Sequence, residues 1–298
     1  MEFSAELSRL MKGDILRDEP LRKHTSFMIG GPADFFVRPK TEQDLVILLG
    51  LAKAHGVPLM VIGLGTNLLV GDGGIRGLVM DLSSACRQLE ERPDGLRAGS
   101  GVSVTELLDF CSRQQWGGLE FMAGIPGSVG GAVRVNAGAW DESIGQLLRT
   151  IRGYDLSGQA VSLESSQLHF RYRQSDLSAD LVIAEVDFSL TRTTRQVIEA
   201  RINDFLRRRS SQPTRQRSAG CVFKNPPGKA AGKLIEESGC KGLRVGDAEV
   251  SRAHANFIVN RGGATAVQVR QLMEKVHARV KKQFGIDLER EILLVGEE

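Results

Sequence analysis

Residues 117–140 read GGLEFMAGIPGSVGGAVRVNAGAW, and the part from 121 to 133 carries no charge while holding glycines at 124, 127, 130 and 131. The stretch is too poor in side chains to read as packed core and too apolar to read as an ordinary surface loop. Glycine lets a backbone come close to a bulky group and turn its N–H groups onto an anion. A lone glycine cluster is more often a linker or a tight turn. Here it has company, because Gly63-Leu64-Gly65-Thr66-Asn67 follows the apolar run at 59–62. Two glycine loops, each tied to a strand, point to a large phosphorylated cofactor held between two lobes.

The first half of the chain alternates strand-like and helix-like segments. Strands are expected over 33–37, 59–62, 78–81 and 96–98. Thr41 starts a helix as N-cap, with Asp44 three residues on and Leu45, Leu48, Leu49 and Ala52 on one face. A second helix is expected over 103–115, turning Leu107, Leu108 and Cys111 inward. Beyond 149 the pattern changes to strands over 152–156, 161–163 and 181–190, the last in period-two alternation. The final third reads as a separate unit. It has helices over 195–209 (burying Ile198, Ile202 and Phe205), 230–238 (closed by Gly239) and 265–284 (Val269, Leu272, Met273, Val276 and Val280 inward, ending at Gly285). Strands are expected over 248–250, 257–260 and 288–295. The sum is an α+β chain divided at 1–84, 85–192 and 193–298.

Composition narrows the function. The 298 residues are 41% apolar and 25% charged, with a net charge of +3. That balance suits a globular protein meeting an anionic small molecule, and is too weak for nucleic-acid binding. Aromatic residues make up only 5%, which argues against base-stacking platforms. The four cysteines (Cys86, Cys111, Cys221, Cys240) form no C-x-x-C pair and the histidines show no ligand spacing, so no metal site is expected. No signal-peptide core or membrane-length apolar run is present, and a reducing, cytoplasmic setting is expected.

Gly63-x-Gly65 is not a dinucleotide fingerprint, since Leu68 stands where a third glycine belongs, and it is no P-loop. Thr66 and Asn67 still offer donors beside bare backbone. Taken together, His24-Thr25-Ser26-Phe27, the IGGPAD run at 29–34, GLGTNLLV at 63–70, GIPGSVGG at 124–131 and Asn136-Ala137-Gly138-Ala139 resemble the UDP-N-acetylenolpyruvoylglucosamine reductase family. FRYRQS at 170–175, Gln212-Pro213, AGCVFKNP at 219–226, AGKLIE at 231–236, SRAHANF at 251–257 and LERE at 288–291 agree, in order.

The resemblance implies a two-lobed FAD-binding domain of the vanillyl-alcohol-oxidase (PCMH) type, lobes 1–84 and 85–192, followed by a smaller α+β substrate-binding domain at 193–298. It implies non-covalent FAD, NADPH as hydride donor, a UDP-sugar enolpyruvyl ether as substrate, and a monomer with no nucleic-acid or membrane partner. Flavin N5 would deliver hydride to C3 of the enolpyruvyl group, and an acid would protonate C2. Such chemistry needs a cation for the carboxylate, a proton donor and a polar group assisting charge build-up. Carried over residue by residue, these are Arg173, Cys221 and Glu291. Cofactor contacts fall on Gly63, Gly65, Thr66, Asn67, Gly124, Ile125, Pro126, Gly127, Ser128 and Gly130. Substrate contacts fall on Tyr172, Lys224 and Asn225, and Arg215 and Arg217 add charge nearby. Outside the motif, Arg173 and Glu291 would read as solvated charges, and Cys221 as a small buried hydrophobe. Cys221 is a departure, since the family commonly has serine there. A thiol is the stronger acid, so proton donation is not hindered. The chain has no Tyr after Tyr172, which implies the compact subtype lacking a tyrosine-bearing loop. Another flavin oxidoreductase of this fold, or a non-catalytic nucleotide-binding relative, are the competing readings.

Overall fold

The computed structural model describes residues 2–213 and 216–298. It divides into two compact units, each assembled from separate stretches: Met1–Arg17, Asp34–Leu64 and Gly77–Arg208 in the first, Asp18–Ala33, Gly65–Arg76 and Arg209–Glu298 in the second. Among the described residues no helix is long and apolar enough to cross a membrane.

The first unit opens with helix α1 (Glu2–Leu10). Helix α2 (Glu42–Ala54) starts as its sequence dictates, with the Thr41 hydroxyl accepting from Asp44 N and the Asp44 carboxylate accepting from Thr41 N. Phe3 and Leu7 of α1 and Leu45, Leu48 and Leu49 of α2 form one buried cluster. A four-stranded sheet runs in the order Asp14–Pro20, Pro32–Arg38, Ile75–Asp81, Leu59–Ile62, the last pair parallel. A five-stranded antiparallel sheet runs Ala160–Glu164, Leu148–Tyr154, Val182–Ser189, Gly95–Gly99, Leu89–Arg92.

The central strand Val182–Ser189 does not show the expected alternation; nearly all of it is buried. Val182 and Ala184 join the α1–α2 cluster, whereas Ile183 between them joins a second core together with Val186 and Phe188, so the strand is covered on both faces. Its acids are tolerated because they are paired across the strands. Asp187 takes Arg97 and Arg152, each at 2.7 Å, and Glu185 takes the same two arginines at 3.2 Å.

That second core lies beneath helix α3 (Val104–Gln114), which has a capping box between Ser103 and Glu106, and helix α4 (Val129–Arg134). Helix α5 (Arg195–Arg208) groups with this unit and not with the residues that follow it. Its Phe205 joins the core, Ile198 is fully buried, and Ile202 is only partly buried.

In the second unit, helix α6 (Ala231–Glu237) and helix α7 (Ala266–Phe284) accompany an antiparallel sheet, Arg244–Val245, Ala248–Val250, Ile258–Asn260. The capping box between Thr265 and Gln268 starts α7, and Gly285 ends it in the left-handed region, φ +67°. Asp72 adds a cap from a distant part of the chain, accepting from Ala266 N at 2.9 Å and Val267 N at 3.1 Å. The core joins Phe27, Ile29 and Leu69 to Val269, Leu272, Met273 and Val276. The expected strand over 288–295 is regular only at Leu293–Val295, where it pairs in parallel with Leu68–Val70; the residues before it bond elsewhere, as described next.

Candidate active site

In the first unit Gly63, which opens one glycine loop, meets Ser128 of the other. A Cβ on Gly63 would lie 2.4 Å from the Ser128 hydroxyl, so only glycine allows this approach. Ser128 is buried and caps α4 by accepting from Gly131 N at 3.3 Å. Gly124 and Gly127 hold φ of +76° and +146°, conformations that L side chains rarely adopt. The loop is fastened to residues 100–104: Val104 N donates to Gly127 O, Val129 N to Val102 O and Gly130 N to Ser100 O, all at 2.8–2.9 Å. A Cβ on Gly130 would press on Ser100 at 2.8 Å. Ile125 packs against the core, while Gly124 and Pro126 face solvent. The loop thus sets glycine backbone beside a hydroxyl, with the N–H groups of Val129, Gly130 and Gly131 already bonded within the protein. Phe121, Met122, Val129, Ala132 and Val133 are core residues. The stretch that reads as too poor in side chains for a core is therefore half core and half exposed loop.

The same stretch carries the Arg173 hairpin. Phe170–Arg171 pairs with Gln174–Ser175, leaving Tyr172 and Arg173 as the turn. Arg173 has φ +55°, unusual for a bulky residue and a common mark of functional strain. Its Nη1 donates to Gly138 O at 2.8 Å, and its guanidinium lies 5.3 Å from the centre of the Tyr172 ring. Tyr172 is exposed and Arg173 half-buried.

In the second unit one hydrogen-bonded strip carries both Cys221 and Glu291. On one side Cys221 bridges to Phe257, and Val222 N donates to Asn256 O at 2.8 Å. The buried Asn256 amide closes on the Phe223 backbone, giving 2.7 Å to its O and taking 3.0 Å from its N. On the other side Glu291 N donates to Val222 O and Lys224 N to Glu289 O, both at 2.8 Å. Glu291 therefore stands before the last strand, in a segment pinned to the cysteine loop. Asn67 joins in through its amide, which donates to Glu291 O at 3.3 Å. Gly65 has φ +60° and its Cβ would strike His24 O; Ser26 then links Gly65 O, 3.1 Å from its N, to Ser218 O, 2.6 Å from its hydroxyl.

Other residues singled out above have structural tasks here. Lys224 pairs with Glu289. The Asn225 side chain accepts from Ala231 N at 2.9 Å, capping α6. Burial, and less so Lys241, hold the His254 pKa below its ordinary value, and its Nδ1 faces Asn256 N at 3.3 Å. Arg217 O accepts from Asn260 N at 2.9 Å, and Arg215 lies outside the described residues. What sequence reasoning missed is the supporting part played by residues 100–104, and by Asn136 and Ser175, which it read only within the motifs at 136–139 and 170–175. Asn136 follows the C-cap Val135 of α4 with φ +46°, the left-handed position where asparagine can stand in for glycine, and that was the available signal for it.

Residues 33–158 match a family model described as FAD binding domain, and residues 212–295 one described as UDP-N-acetylenolpyruvoylglucosamine reductase, C-terminal domain. Fold and loops together make this an FAD-binding protein of α+β architecture. A relative from Moorella thermoacetica, named UDP-N-acetylenolpyruvoylglucosamine reductase, is 44% identical over 99% of this chain and 98% of its own length. One of the same name from Geobacter metallireducens is 42% identical over 100% and 99%. The solved reductase of that name from Thermus caldophilus superposes with a TM-score of 0.82 at 34% identity, covering 95% of this chain and 99% of the other. The chain belongs to the UDP-N-acetylenolpyruvoylglucosamine reductase family.

Proposed function

We propose that this chain reduces UDP-N-acetylglucosamine enolpyruvate to UDP-N-acetylmuramate, with NADPH as reductant, in the cytoplasmic supply of peptidoglycan precursors for cell shape and division. The observation that carries the reading is the strip in which Val222 O accepts from Glu291 N, because it fixes a proton-donor candidate and an acid on adjoining backbone. End-to-end likeness to relatives bearing the reductase name supports it.

FAD, when bound, supplies the carrier that accepts a hydride from NADPH and delivers it to C3 of the enolpyruvyl group. The chain's own residues do the rest. Gly63, Gly65, Thr66, Asn67, Gly124, Ile125, Pro126, Gly127, Ser128 and Gly130 hold the cofactor without a covalent link, mainly through backbone. Arg173 meets the substrate carboxylate and the charge that builds on it during hydride delivery. Cys221 gives a proton to C2. Glu291, protonated or through a water, eases the same charge. Lys224 supplies a point charge for the diphosphate, with Tyr172 and Asn225 as further contacts. Lobes 1–84 and 85–192 serve the cofactor and 193–298 the sugar nucleotide, in a monomer.

Steady-state turnover tests this. NADPH oxidation should require the enolpyruvyl sugar nucleotide, with UDP-N-acetylmuramate as the product by mass spectrometry. Oxidation that is indifferent to that substrate would refute the assignment.

A further inference from the structure

We propose that Asn136 is the positioning residue of the Arg173 hairpin, tying the arginine to the glycine-loop helix; this rests on Arg173 being the cation that meets the substrate. The hairpin strands are two residues each, too short to hold a left-handed arginine unaided. The end of α4 and the residues after it supply the hold. Asn136 is 4% exposed, with φ +46°, a conformation asparagine tolerates better than most residues. Its Nδ2 donates to Arg171 O at 2.8 Å, and its Oδ1 accepts from Gly145 N at 3.0 Å. One partner accepts and the other donates, so only an amide fits both. Gly145 approaches so closely that a Cβ there would lie 2.8 Å from Oδ1.

The neighbours of Asn136 act in the same direction. Arg134 O accepts from the Ser175 hydroxyl at 2.7 Å, on the far strand of the hairpin. The Arg134 guanidinium donates to Leu177 O at 3.3 Å, to Ser178 O at 2.5 Å and to Leu181 O, fixing the chain that leaves the hairpin. Gly138 O receives Arg173 itself. Between the glycine loop and Arg173 there is thus a continuous set of hydrogen bonds, and Asn136 is the one buried side chain in it that bonds the strand leading into the turn.

The experiment compares five FAD-loaded proteins: the parent chain, Asn136→Gly, Arg173→Ala, the double variant of these two, and Ser175→Ala. Glycine keeps the backbone conformation and removes only the amide. Flavin absorbance and thermal midpoint establish that each is loaded and folded. Reduction by NADPH and reoxidation by UDP-N-acetylglucosamine enolpyruvate are then timed separately. Asn136→Gly should slow reoxidation about 10–100-fold, the scale of a roughly 1 Å misplacement. Reduction should stay within about twofold of the parent. Added to Arg173→Ala, Asn136→Gly should cause no further loss, because both remove one interaction. Ser175→Ala, a milder change, should move reoxidation the same way by less. Equal slowing of both half-reactions, or losses that multiply, would show Asn136 to be merely structural and overturn the inference. An enzyme that needs Arg173 but ignores Asn136→Gly sinks this inference alone. If Arg173→Ala leaves reoxidation unchanged, the role of Arg173 in the proposed function fails first and takes the inference with it.

Discussion

Cys221 is where this chain tests its own chemistry. It is half-buried, and its backbone bridges to Phe257 beside the Glu291 segment. A serine hydroxyl has the size to replace the thiol and can also give a proton, whereas alanine can give none. Cys221→Ser is expected to keep substantial turnover. Cys221→Ala is expected to lose about 10²–10⁴-fold in the substrate-dependent step, the usual worth of a general acid. Flavin reoxidation by substrate at the parent rate in the alanine variant would remove Cys221 from the mechanism. Arg173 was legible only in part. Its motif is legible, but its left-handed φ and its bond to Gly138 depend on contacts that no local pattern announces.

Among elements, the helices that begin with a capping box were legible. Thr41 with Asp44 and Thr265 with Gln268 mark their own starts, because the reciprocal bonds need those residue types at that spacing. Helix α4 was not legible: two of its six residues are glycine, whose helix propensity is poor, and its bonds to residues 100–104 hold it instead. The strand Val182–Ser189 was found but misjudged in pattern, since burial on both faces erases alternation. Its paired acid gives a pH prediction. Burial raises the Asp187 pKa, but the bonds from Arg97 and Arg152 outweigh this and hold it below the ordinary value. The stability it contributes is therefore fully present above the unfolded-state value of about 3.9, and is lost as pH falls through the lower folded value. Chemical denaturation from about pH 5 down to about pH 3 should show the gap between parent and Asp187→Asn narrowing. A constant gap would mean that the pair contributes no net linkage.

For the whole molecule, the sequence motifs appear in order along the chain, yet the compact units do not follow that order. Residues 18–33 and 65–76 belong with the C-terminal segment, and α5 belongs with the first unit. Phe27, Ile29 and Leu69 complete the core around α7, and Leu68–Val70 pairs with Leu293–Val295. Long-range pairing of this kind has no local signature, which is why the glycine loops and the chemistry-bearing residues were readable while their partners were not. The proposed function asks the whole chain to take electrons from NADPH and give them to an enolpyruvyl sugar nucleotide. Anaerobic stopped-flow at the flavin band near ~450 nm, with NADPH added first and UDP-N-acetylglucosamine enolpyruvate second, tests it most directly. Bleaching by NADPH and recovery of the band on adding the sugar nucleotide are expected. Bleaching that persists after the sugar nucleotide is added would contradict the proposed function.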